Sequence, residues 1–97
     1  MSWFLAAEAE RELAEALAFY KERASQAIAK AFLAEFERAA TLLVDNPGLG
    51  TPSLSGRRIL PMQRFPYSLI YRPTAEGIRI SAVAHQRRRP AYWQSRE

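Results

Sequence analysis

The sequence predicts an α+β fold: an N-terminal strand, an antiparallel helical hairpin packed on a small antiparallel β-sheet, and a short C-terminal tail. Three observations lead there. Apolar residues recur at helical spacing from about residue 6 to residue 44. After Gly56 the spacing changes to strand-like alternation. The 97 residues suffice for one modest core, so residues 1–97 are read as a single domain.

Each element follows from local chemistry. Ser2 to Leu5 is a short apolar start and reads as a strand. From Ala6 to Arg23, Leu13, Ala16, Leu17 and Tyr20 fall on one helical face. Glu8, Glu10 and Glu12 sit in the first turns, where negative charge suits the helix dipole. Ser25 is a suitable N-cap for a second helix reaching about Val44, with Ile28, Phe32, Phe36, Ala39 and Leu43 on one stripe. Asp45-Asn46-Pro47-Gly48 stops it. The link between the helices is too short for anything but an antiparallel hairpin.

Leu49 to Gly56 reads as loop. Arg57 to Arg64 reads as a strand whose Pro61 lacks a ladder donor, which suggests an edge or a bulge. Tyr67 to Arg72 and Ile78 to Ala84 read as two further strands around a turn at Pro73 to Gly77. Along the first of these, Phe65, Tyr67, Leu69 and Tyr71 share one face, and Ser68, Ile70 and Arg72 the other. Both faces carry apolar members, so the face away from the helices needs cover from the tail or a partner. Phe19, Tyr20, Trp3 and Trp93 are read as core residues. Pro90 keeps the preceding arginines out of a helix interior, with a last helical turn expected around Ala91 to Arg96.

Charge is segregated. Residues 1–50 hold five Lys or Arg and eight acids, a net of −3. Residues 51–97 hold nine Arg, no Lys and two acids, Glu76 and Glu97, a net of +7. Arginine offers planar, forked donors suited to phosphate and carboxylate. A basic half of this kind points to an acidic partner, either nucleic acid or an acidic protein surface. No apolar run approaches the roughly 20 residues of a membrane span. Met1 to Ala7 lacks a basic n-region and a long apolar core, so no signal peptide is expected. The chain has no cysteine, which removes disulfides, thiolate nucleophiles and most zinc sites and fits a cytoplasmic location. No cofactor or metal is expected.

Several words in order carry a resemblance. They are Ala18-Phe19-Tyr20, Ala31-Phe32, Asn46-Pro47-Gly48-Leu49-Gly50, Gly56-Arg57-Arg58-Ile59-Leu60 and Phe65-Pro66-Tyr67-Ser68-Leu69-Ile70-Tyr71-Arg72. Ala82-Val83-Ala84-His85 and Arg88-Arg89-Pro90-Ala91-Tyr92-Trp93 complete the set. Together they resemble the RelE/ParE family of type II toxin–antitoxin toxins over nearly the whole chain. The resemblance implies a bacterial growth inhibitor of the kind tied to plasmid stabilisation, neutralised in a hetero-oligomer with a cognate antitoxin. The antitoxin is expected to be acidic and to fold along the hairpin groove and the sheet, with the first strand or the Pro61 edge accepting an added strand.

Family members poison different targets. The ParE branch poisons DNA gyrase; the RelE branch cleaves mRNA in the ribosome. Under the nuclease reading the protein would be an mRNA endoribonuclease, with His85 as base or acid, Tyr92 as proton donor or stacking group, and Arg89 in the catalytic set. Arg57, Arg58, Arg64, Arg87, Arg88 and Arg89 are the candidate contacts to phosphate or to the target. RNA-cleaving relatives commonly use sheet lysines, or a sheet Glu with a His. Residues 51–97 offer no Lys and no strand carboxylate, which favours the gyrase-directed branch. A third reading is a non-toxic remnant that binds its antitoxin and regulates its operon. His85 itself has two readings: a functional proton carrier, or a strand-end residue that bonds the backbone and shapes the tail.

Overall fold

The computed structural model describes residues 2–96; Met1 and Glu97 lie outside the described residues. The chain runs β1 (Ser2–Leu5), α1 (Ala7–Arg23), α2 (Gln26–Asp45), β2 (Thr51–Pro52), β3 (Arg58–Pro61), β4 (Tyr67–Thr74) and β5 (Gly77–His85). One sheet contains all five strands in the order β1-β5-β4-β3-β2. The domain is α+β as expected, with the two helices packed on one face.

The helices end where the sequence says they end. The Ser25 hydroxyl accepts the Ile28 N–H at 3.1 Å, a side-chain N-cap. Only Ala24 and Ser25 separate α1 from α2, which forces the hairpin. Phe32 and Phe36 of α2 are completely buried. Tyr20, Phe32, Phe65 and Tyr67 form a cluster of mostly edge-on ring contacts between hairpin and sheet. Trp3 lies edge-on to Phe36, a core contact as expected. Phe19 departs from expectation: it is half-exposed at the hairpin end, packed against Tyr20 with the Arg23 guanidinium nearby.

The sheet is mixed, because β1 runs parallel to β5, pairing Ser2 with Gly77 through Leu5 with Ile80. Short links dictate antiparallel pairing for β2, β3, β4 and β5, whereas the helical hairpin and three strands lie between β1 and its neighbour β5. Gly77 is required at this junction. Its φ is +140°, and a Cβ there would fall 2.2 Å from the Ser2 carbonyl oxygen. Within the expected loop, Thr51–Pro52 forms a two-residue edge strand against Ile59 and Arg58. β3 ends at Pro61 rather than Arg64. Beyond it the Gln63 N–H turns to Glu35 Oε2 on α2, and Arg64 takes a positive φ of 71°.

One irregularity matters for everything downstream. Tyr71 pairs with Ile80 and Ile70 with Ala82, so Ser81 is an extra, bulged residue in β5. The bulge switches the facing of the strand. Ile78, Ile80 and Val83 pack toward the helices, while Ala82 and Ala84 face the other side. There Ile70, Ala82, Ala84 and Trp93 form a second small core, flanked by Ile59 and Tyr92. The tail thus covers the second face of the sheet, and Trp93 is 4% exposed. Residues 91–95 do this as successive turns rather than as a helix. No helix among the described residues is long and apolar enough to cross a membrane.

Candidate functional site: a latched basic tail

β5 delivers the chain to His85 at the end of the sheet, and backbone bonds turn it sharply. Gln86 N–H donates to Pro66 O at 2.8 Å, and Arg88 N–H to His85 O at 3.0 Å. His85 Nδ1 accepts the Arg87 N–H at 3.0 Å, and its ring stands edge-on to Tyr67. His85 thus bonds the backbone at the strand end.

Arg87, Arg88 and Arg89 follow, all exposed. The Arg88 guanidinium stacks over the Tyr92 ring, 3.7 Å from its centroid. His85, Arg88, Arg89 and Tyr92 share the rim of a groove of about 250 Å³ whose floor includes Ile59, Ile70, Ala84 and Trp93. Four of the expected site residues are thus brought together, and Arg87 lies at the same turn.

Glu12 of α1 holds this arrangement. It is 8% exposed, and its carboxylate accepts from Val83 N–H at 3.0 Å, Arg96 Nη1 at 2.9 Å and Arg96 Nη2 at 3.1 Å. The Tyr92 hydroxyl donates to the same carboxylate, and Arg88 lies 3.5 Å from it. β1 pairs with β5 only as far as Ile80, so beyond that point the β5 edge lacks a neighbouring strand. Glu12 fills the gap at Val83, and Arg96 does so at the Ser81 carbonyl, 3.2 Å away. Burial by itself raises the Glu12 pKa. The hydrogen bonds from Arg96, Tyr92 and Val83, with the Arg96 charge, outweigh it and hold the carboxyl below its ordinary value. Burial and the bond to Glu12 push the Tyr92 phenol well above its ordinary range. That phenol is committed to Glu12, which removes it as a free proton donor.

The remaining arginines part company with the expectation of one cationic patch. Arg57 is 2% exposed, and its guanidinium donates to the carbonyls of Gln94 (3.1 Å) and Arg96, with Trp93 nearby. It pins the tail from below and does not face solvent as a phosphate ligand. Burial, with Arg72, Arg79 and Arg96 close by, lowers its pKa. Arg58 is spent on the loop after α2, donating to Gly48 O and Gly50 O. Arg64 lies over the Phe65 ring and lines a different groove with Glu35 and Arg38 on the helical side.

Glu12 and Arg96 were the residues that sequence reasoning missed. Glu12 follows the first-turn acids Glu8 and Glu10 in sequence, yet it lies on the stripe formed by Ala9, Leu13 and Ala16, all buried. A carboxylate on an apolar stripe is the signal that was available. No cluster of groups fit to hold a metal ion occurs among the described residues.

A helical hairpin on one face of a five-stranded sheet and a latched basic tail on the other define a small domain of the RelE/ParE toxin type. A profile of the ParE toxin of the type II toxin–antitoxin system parDE matches residues 4–90. The chain belongs to the ParE toxin family. Among solved structures it is similar to a chain of the chromosomal ParDE TA system from P. aeruginosa. The two share 25% identity with a TM-score of 0.77, over 88% of this chain and 95% of that one. No curated protein matches it significantly.

Proposed function

We propose that this toxin poisons DNA gyrase through its basic tail and is held inactive by a cognate antitoxin in the cytoplasm. The observation that carries the reading is the pairing of family membership with a hydrogen-bonded, solvent-facing Arg87–Arg89 turn. Arg87 and Arg89 make no ion pair among the described residues, so their forked donors are available to carboxylate or phosphate on the target. The groove beside them has an apolar floor suited to one anchoring side chain of a protein partner. The ParDE relative is a toxin–antitoxin system by its description, which supports an antitoxin partner here. Acidic chain added along the sheet has two edges to use: β1, and the Leu60–Pro61 half of β3 that β2 leaves unpaired.

RNA cleavage is the second reading. It draws on His85, which lines the groove together with Arg88 and Arg89. It is weaker because Tyr92 is bonded to Glu12 and Arg57 is buried, which takes away two groups that this reading would use.

Induction of the toxin without antitoxin, followed by separate readouts of plasmid supercoiling and mRNA integrity, tests both. Growth arrest with lost supercoiling and intact mRNA supports gyrase poisoning. Codon-biased cuts in translated message overturn it, and so does unimpaired growth, the outcome expected of an operon-regulating remnant.

A further inference from the structure

The Arg87–Arg89 turn is exposed, yet it is not loose. Residues 86–96 form a loop pinned at both ends. Gln86 and Arg88 tie its start to Pro66 and His85 through the backbone. At its end, Glu12 grips the Arg96 guanidinium while Arg57 grips the Arg96 carbonyl. Between the ends, Glu12 also receives Tyr92, on whose ring Arg88 is stacked.

The helix does not need this carboxylate. Glu12 lies among Ala9, Leu13 and Ala16 on the face turned to the core, where an apolar side chain would bury without a desolvation penalty. What the carboxylate supplies is a single anchor for donors from two separate elements, β5 and the tail. Untethered, the arginines would have to be ordered during each encounter with a partner, at a cost in binding.

We infer that Glu12 is a positioning residue for the cationic turn: from α1 it fixes the direction in which Arg87 and Arg89 meet an anionic partner. The inference rests on the function proposed above only for what that partner is. Glu12 touches no target itself and acts through Tyr92, Arg88 and Arg96.

Tail order is measured without any target by limited trypsin digestion. The bonds after Arg87 and Arg88 are the reporters, since the Arg89–Pro90 bond resists the enzyme. Glu12→Gln keeps volume and an acceptor for Val83 N–H but removes the charge. Tyr92→Phe removes one latch bond and keeps the ring under Arg88. Leu13→Ala, in the core of the same helix, weakens the fold without touching the latch. Native-state cleavage is expected to be about tenfold faster in Glu12→Gln, a tenfold gain in local opening, faster also in Tyr92→Phe, and unchanged in Leu13→Ala.

A folded Glu12→Gln cut at the wild-type rate overturns the inference, as does Leu13→Ala cut equally fast. If Glu12→Gln does not fold, Tyr92→Phe decides in the same way. Growth arrest gives the second readout: Glu12→Gln and Tyr92→Phe are expected to lose potency that Leu13→Ala retains. Wild-type toxin that fails to arrest growth refutes the proposed function and leaves digestion to judge the latch. Arrest by a loosened Glu12→Gln at wild-type potency refutes the positioning role and leaves the function standing.

Discussion

Arg96 donates two hydrogen bonds to Glu12, 84 positions earlier in the chain, at 2.9 and 3.1 Å. The pair joins the first helix to the end of the tail across the unpaired edge of β5. It closes the loop that carries Arg87, Arg88 and Arg89.

The pair sets the response to acid. Glu12 has its pKa lowered in the fold from an ordinary value of 4.5. Its contribution is therefore complete above pH 4.5 and is lost as pH falls through the lower, folded value, where the unfolded chain binds more protons. Glu35, held down by Arg38, acts in the same direction. Denaturant midpoints measured from pH 7 downward should fall more steeply in wild type than in Glu12→Gln. Parallel curves would show that Glu12 is not the group that titrates.

Arg57 should be needed for the tail although it is hidden from any target. Arg57→Met removes two charge-assisted bonds to tail carbonyls, and a loss of about 2 kcal/mol is expected in urea unfolding. Unchanged stability would mean that Trp93 packing and the Glu12 bonds hold the tail without Arg57.

Gly77→Ala should detach β1. The new Cβ meets the Ser2 carbonyl, and the φ of +140° is strained for any L side chain. A destabilisation of about 2 to 3 kcal/mol is expected from chemical denaturation. A change within ~0.5 kcal/mol would show that β1 contributes little to the fold.

His85 and the free arginines separate the two target readings. Arg87→Ala with Arg89→Ala should lower potency in growth arrest by about tenfold or more, the loss of at least one charge-assisted contact. His85→Ala should weaken growth arrest only in part if gyrase is the target, because the imidazole serves the turn through the Arg87 N–H and not chemistry. Complete loss of arrest in a folded His85→Ala would favour RNA cleavage.

Much of the fold was legible because its determinants are local. The Ser25 cap, the stop at Asn46-Pro47-Gly48 and the alternation through Tyr67 to Tyr71 each act within a few residues. The parallel pairing of β1 was not, since its partner lies across the whole hairpin. The bulge at Ser81 left a trace in Ile80-Ser81-Ala82-Val83, where the strict alternation breaks.

The site was legible as composition and not as geometry. Nine arginines in the second half predict a basic surface, but they do not say that Arg57 is buried, that Arg58 caps a loop or that Arg64 sits on the helical side. Those roles depend on long-range contacts, as does the placement of Glu12.

The most direct test of gyrase poisoning uses purified toxin with purified DNA gyrase and plasmid DNA. Blocked supercoiling or trapped, cleaved DNA at stoichiometric toxin, relieved by an acidic cognate antitoxin, is the predicted result. Undisturbed supercoiling and no cleaved DNA at a large excess of folded toxin would contradict it.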